Sequence, residues 1–190
     1  MINTVQNTSS ALSAEQLNWL KSELAGDYRW KIVAMHVPVY SVGKWGSDPN
    51  RNTQSINLKA QLAKLFAENN VDLVLQGHDH CVSRTFPVSE KLKFQTEENI
   101  QIVNGVEYSV NPQGTIYLMN GPAGDQSGSS KMISGANDAA KYKYASGSNS
   151  RSYAEISVSG NSVTVTVKYV NEIGSIKNDY YKWGIIKNAA

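Results

Sequence analysis

Residues 71–80 read VDLVLQGHDH, a block of Val and Leu running into Gly-His-Asp-His. A short continuous apolar run, rather than an alternating one, marks a strand buried on both faces. Gly77 allows the chain to turn sharply out of a sheet at that point. Two of the chain's three histidines follow, one residue apart. The third, His36, ends another apolar run, KIVAMH over 31–36.

The segments around these strands have helical spacing. Ser13 is placed to cap a helix, with Gln16 completing a capping-box pattern and Leu17, Leu20 and Leu24 recurring behind it up to Gly26. A second helix is predicted from about Ile56 to Glu68, with Leu58, Leu62, Leu65 and Phe66 on one face and Asn69-Asn70 at its end. Strands are predicted at about 31–35 and 71–75. Residues 14–76 therefore alternate helix, strand, helix, strand, the pattern of a parallel sheet covered by helices. The Gly- and Asn-rich stretch 41–55 reads as a long loop of the kind that often carries function.

The second half reads differently. GTIYLMNGPAG (114–124) is a strand entering a Gly-rich turn. In SYAEISVSGNSVTVTVKYV (152–170), Val163, Val165, Val167 and Tyr169 alternate with Thr164, Thr166 and Lys168. Gly160-Asn161 between the two arms is a hairpin signal. The small, polar stretch 125–150 reads as a surface loop. The expected fold is thus mixed α/β (α+β), ending in an antiparallel hairpin.

Composition excludes several classes. The net charge is +2 with no Lys/Arg block, so there is no electrostatic footprint for nucleic acid. The apolar runs are too short to span a bilayer. The single cysteine, Cys81, rules out an internal disulfide. Low Cys with many Asn, Ser and Thr suits an extracellular or cell-envelope protein.

Ligands collect at the carboxyl ends of strands in parallel sheets. If the strands ending at His36 and at Gly77 are neighbours, His36, His78 and His80 share one edge. Imidazole suits Zn, Fe and related metals. A His-x-His turn sends its two rings to different sides, which suits two metals better than one. Asp79 can orient an imidazole or be a solvated turn residue. Arg84 can meet phosphate or be a structural ion pair, and Lys44 is a further candidate for lining a pocket.

LNWLKSEL, KIVAMHVPVYS and LAKLFAENNVDLVLQGHDHCVSRT together resemble the second half of a calcineurin-like metallophosphoesterase, most closely its purple-acid-phosphatase-like branch. The likeness is close over 14–86 and looser through GTIYLMNGPAG and the hairpin. It implies half of a metallophosphoesterase-type β-sandwich flanked by helices. It also implies that His36 and His78 hold one metal and His80 the other, within a pair of divalent or trivalent ions (Fe, Zn or Mn). The implied activity is phosphate-ester hydrolysis by metal-bound hydroxide, with the ions about 3.5–4 Å apart. Val82 stands where plant members carry Tyr, and the GKWGS loop departs from them as well.

The family's D-x-H, G-D-x-x-D and G-N-H-[DE] motifs do not occur. Gly26-Asp27 continues to Tyr28-Arg29-Trp30, Gly124-Asp125 to Gln126-Ser127-Gly128, and Gly160-Asn161 to Ser162. The expectation is a carboxyl-terminal portion (1–190) of one phosphoesterase domain, with no catalytic acid or base of its own and inactive alone. Its partner is expected to be a missing amino-terminal half or a second copy, covering an otherwise bare sheet face. INTV at the start is expected to be the family's strand before the first helix. The alternatives are a non-catalytic binding or scaffold module and a protein holding one metal on three histidines.

Overall fold

The computed structural model describes residues 2–4, 11–48, 50, 53–124, 132–133, 135–136, 138–146, 151–170, 175–176 and 181–188. In chain order the elements are α1 (Ala14–Leu24), β1 (Ile32–Ala34), α2 (Lys44–Ser47), α3 (Thr53–Glu68), β2 (Leu73–Gln76), β3 (Val82–Thr85), β4 (Ile100–Val103), β5 (Val106–Val110), β6 (Ile116–Asn120), β7 (Tyr142–Ser146), β8 (Arg151–Ser159), β9 (Ser162–Val170) and β10 (Tyr181–Ile186).

The helices form for the reasons visible in the sequence. Ser13 Oγ accepts the Gln16 backbone N–H at 3.2 Å, the capping bond. Leu20 and Leu24 are buried one turn apart, and Ala25 and Gly26 close the helix. In α3, Leu58, Leu62 and Phe66 recur every four residues and are fully buried. Asn70 then adopts a left-handed conformation at φ 54. That helix starts three residues before the expected Ile56.

Among the described residues two five-stranded sheets form, ordered β1-β2-β6-β3-β7 and β4-β5-β10-β9-β8. β1, β2 and β6 run parallel, as the alternating first half predicts. The helices cover one face of the first sheet. Leu20, Leu62 and Phe66 join Val33, Val74 and Tyr117 in one cluster. The other face packs on the second sheet, where Leu73, Val82, Ile116 and Leu118 meet Val163, Val165, Val167, Trp183 and Ile185. Alternate residues of β2 and β6 therefore enter opposite cores, which is why both strands read as unbroken apolar runs. The β8–β9 hairpin turns at Gly160, φ 54, with Val163, Val165 and Val167 facing inward.

Two expectations change. The inner face of the first sheet is not bare, because this chain supplies the second sheet that covers it. Residues 142–146, expected in a surface loop, form β7, which pairs with β3. Much of the remaining 125–150 stretch lies outside the described residues. At the amino terminus Ile2 bridges Met35 in parallel, and its N–H donates to the Ala34 carbonyl at 2.8 Å. Val5 of the INTV stretch lies outside the described residues.

Candidate metal centre

Parallel pairing of β1 with β2 continues past both strand ends. Met35 N–H donates to Leu75 O at 3.0 Å, and Gly77 N–H donates to His36 O at 3.0 Å. His36 is thereby carried alongside Gly77. A Cβ on Gly77 would lie only 3.2 Å from His36 Nδ1, so glycine leaves that ring its space. Gln76 fixes the segment leaving His36. Its Oε1 accepts Val39 N–H at 2.6 Å and Tyr40 N–H at 3.1 Å, while its Nε2 donates to Tyr40 O at 2.8 Å.

His78 then turns with φ 74, a left-handed conformation uncommon for a non-glycine residue and often found at functional positions. The result is direct convergence: His36 Nε2 and His78 Nδ1 lie 2.9 Å apart, with the rings edge-on at 84°. One nitrogen carries a proton and the other accepts it. Burial and then the neighbouring His36 hold the His78 imidazole below the ordinary histidine range, with Asp79 opposing them and His80 adding to them. A neutral imidazole is the form that ligates metal.

Asp79 is fully buried, not a solvated turn residue. Its Oδ1 accepts Trp45 N–H at 3.0 Å and its Oδ2 accepts Gly46 N–H at 3.1 Å. The first turn of α2 lacks a side-chain cap of its own, because its N-cap is Gly43, and Asp79 serves instead. A Cβ on Gly43 would come within 2.4 Å of Asp79 Cγ. This docking sets the Trp45 ring 4.8 Å from the His78 ring. The carboxylate is committed to backbone N–H groups and braces the histidine pair through Trp45.

His80 contributes a buried Nδ1 without a hydrogen-bond partner. Lys44 opens α2 and is half-buried, with no hydrogen bond or ion pair joining it to the histidines among the described residues. Arg84 is 1% exposed. Its guanidinium pairs with Glu98 at 3.1 Å and lies 4.1 Å from the Trp183 ring centroid. Cys81 is buried, its thiol pushed up to about 12 by burial, with Ser41 Oγ 3.7 Å away. A thiol so disfavoured as thiolate is packing.

The donor set fits a metal ion in part. Two imidazole nitrogens holding one tetrahedral Zn²⁺ would stand about 3.4 Å apart, so the 2.9 Å His36–His78 pair would have to open by about half an ångström. Among the described residues, however, no group of three His, Cys, Asp or Glu side chains is arranged to hold a metal. The structure supplies a convergent imidazole pair and one buried, unpartnered imidazole nitrogen.

A sequence profile of the calcineurin-like phosphoesterase family matches residues 2–82. Those residues are similar to a calcineurin-like phosphoesterase segment. The phosphoesterase likeness is on the purple-acid-phosphatase-like branch. Purple acid phosphatase 17 of Arabidopsis thaliana is 36% identical over 77 residues, 40% of this chain and 20% of that protein. Acid phosphatase type 7 of Homo sapiens is 30% identical over 127 residues, 60% of this chain and 27% of that protein. The structure of purple acid phosphatase PPD1 from yellow lupin seeds superposes with a TM-score of 0.67 at 18% identity, over 94% of this chain and 29% of that one. That superposition establishes the shared fold. The matches span only a fifth to just over a quarter of these curated relatives' length.

Sequence reasoning missed three supports of the histidine pair. These are the Gln76 clamp, the Trp45–His78 contact and Asp79 as a remote cap. Gly43 beside an otherwise unpatterned KWGS stretch was the available signal for the last.

Proposed function

We propose that this chain carries the histidine half of a dinuclear metal centre that hydrolyses phosphate esters. His36 and His78 would hold one ion and His80 the other. The observation that carries this reading is the 2.9 Å approach of His36 Nε2 to His78 Nδ1 at the carboxyl ends of two adjacent parallel strands. The family profile over the same residues supports it. When bound, the ions supply positive charge that draws in phosphate oxygens and offsets the charge of the transition state. The chain's own part is positional. Gln76 and Gly77 align His36, while Asp79 and Trp45 brace His78, whose imidazole burial holds below the ordinary histidine range.

Imidazoles alone do not offset the repulsion between two neighbouring cations. Carboxylates from outside these 190 residues complete the centre. Because the inner sheet face is already covered, the acid-bearing partner is expected at the open side of the edge strand β1, where Ile2 forms the one described bridge. A single ion held by all three histidines is less well supported, because no three-donor group forms among the described residues.

Two assays test this reading. Zn²⁺ or Mn²⁺ binding to the purified chain is expected to weaken by about tenfold or more in His36→Ala and in His78→Ala, the usual scale for loss of one ligand or more. Binding unchanged in both variants would refute the centre. p-Nitrophenyl phosphate with added Mn²⁺, Zn²⁺ or Fe²⁺ is expected to show no turnover above background. Turnover by the isolated chain would show that the acids are not external.

A further inference from the structure

Gly46 and Ser47 of α2 line a cavity of about 660 Å³ that does not include Trp45 or His78 in its lining. Tyr40, Phe94 and Tyr142 wall it with aromatic rings, and Lys59, Lys141 and Asp138 supply its charge. Its volume is in the range of small-molecule sites. We propose that this cavity binds a small organic anion, with the acidic head at the Lys59 ammonium and an apolar body against the three rings.

The charge balance points that way. Lys141 is neutralised by Asp138 at 2.9 Å. Lys59 has no ion pair or hydrogen-bond partner among the described residues, and its Nζ stands 4.3 Å from the centroid of the Tyr40 ring. The ring face attracts a cation, but it does not replace a counter-ion. Burial, and then the neighbouring Lys141, push the proton affinity of Lys59 down. An anion placed beside it offsets both, because an opposite charge favours the protonated ammonium. Tyr40 and Phe94 meet edge-on at 5.5 Å, so the wall is a packed aromatic corner. Inorganic phosphate would use Lys59 and leave that corner wet. A neutral aromatic molecule would fill the corner and leave Lys59 without its counter-ion. An anion with an apolar body uses both.

None of the three histidines lines the cavity, so it can be tested without metal. The full 190-residue chain, treated with EDTA, is titrated by calorimetry with 1-naphthoate, 1-naphthyl phosphate, 1-naphthol and inorganic phosphate. At least one naphthyl acid is expected to bind about tenfold or more tightly than naphthol and than inorganic phosphate, a difference read directly from the dissociation constants. The tighter of the two acids identifies the head group. Lys59→Met is expected to abolish that preference and Lys59→Arg to retain it. Independently of either variant's folding, the bound acid is expected to protect Lys59 of the wild-type chain from acetylation, read by peptide mass spectrometry. Equal binding of naphthol and both acids, an unchanged preference in Lys59→Met, or acetylation of Lys59 undiminished by the acids would overturn the proposal.

Discussion

Asp79 shows how one side chain organises the turn that carries the histidines. It lies between two histidines, yet it points away from them and accepts two backbone N–H groups of α2. Hydrogen bonds to a buried charged group contribute more than neutral ones, so Asp79→Ala is expected to cost about 2–3 kcal/mol in chemical denaturation. Asp79→Asn keeps one acceptor oxygen and should lose less. Trp45 fluorescence is expected to change in Asp79→Ala, because the indole is no longer held against His78. Unchanged emission would mean that the turn is positioned by something else. Gly43→Ala tests the same contact from the other side. Its Cβ would overlap the Asp79 carboxyl group, so it should destabilise the turn although alanine is the better helix former. None of this is visible in GHDH alone, because the cap and the capped turn are far apart in sequence. The convergence of His36 and His78 was legible, because both follow apolar runs whose strand character is plain.

At the scale of elements, β3 and β7 of the first sheet are tied to the second by a buried charge cluster. Arg84 on β3 pairs with Glu98 at 3.1 Å and donates to Tyr181 Oη on β10 at 3.3 Å. Ser109 on β5 donates to the same Glu98 carboxylate, and Lys143 on β7 lies 3.7 Å from it. Removing one partner strands a charge in a dry place. Arg84→Met is therefore expected to cost about 3–5 kcal/mol, and the double variant R84M/E98Q markedly less than the single. A double variant no more stable than Arg84→Met would show that the cost lies in lost packing on Trp183. The helices, β2, β6 and the β8–β9 hairpin were legible because leucine spacing, unbroken valine runs and Gly160-Asn161 are local signals. α2 and β7 were not. KWGS has no apolar periodicity and owes its helical turn to a remote carboxylate. YKYAS sits in a polar stretch and is a strand because β3 offers it an edge.

At the scale of the whole molecule, two cores share one sheet, and several phenols are buried in or beside them. Burial pushes the hydroxyl of Tyr40 up to about 12, and those of Tyr117, Tyr142 and Tyr181 upward as well. In the unfolded chain these groups ionise near about 10, so above that pH the unfolded state releases protons that the folded state retains. The phenols' contribution to stability is expected to be flat below about pH 10 and to fall above it, by up to about 1.4 kcal/mol per pH unit for each such phenol. Absorbance at 295 nm should then rise in step with loss of secondary structure. Phenols that ionise without unfolding would contradict this. Among the described residues no helix is long and apolar enough to cross a membrane. The sheet as a whole is what brings two histidines from distant parts of the chain into contact, and the proposed function depends on that contact. Long-range ¹H–¹⁵N NMR of the imidazole rings during titration with Zn²⁺ reports on it nitrogen by nitrogen. If the pair holds a cation, His36 Nε2 and His78 Nδ1 shift together to metal-bound values at the same added Zn²⁺. Ligation through the opposite ring nitrogens, or two rings that respond independently, would contradict it.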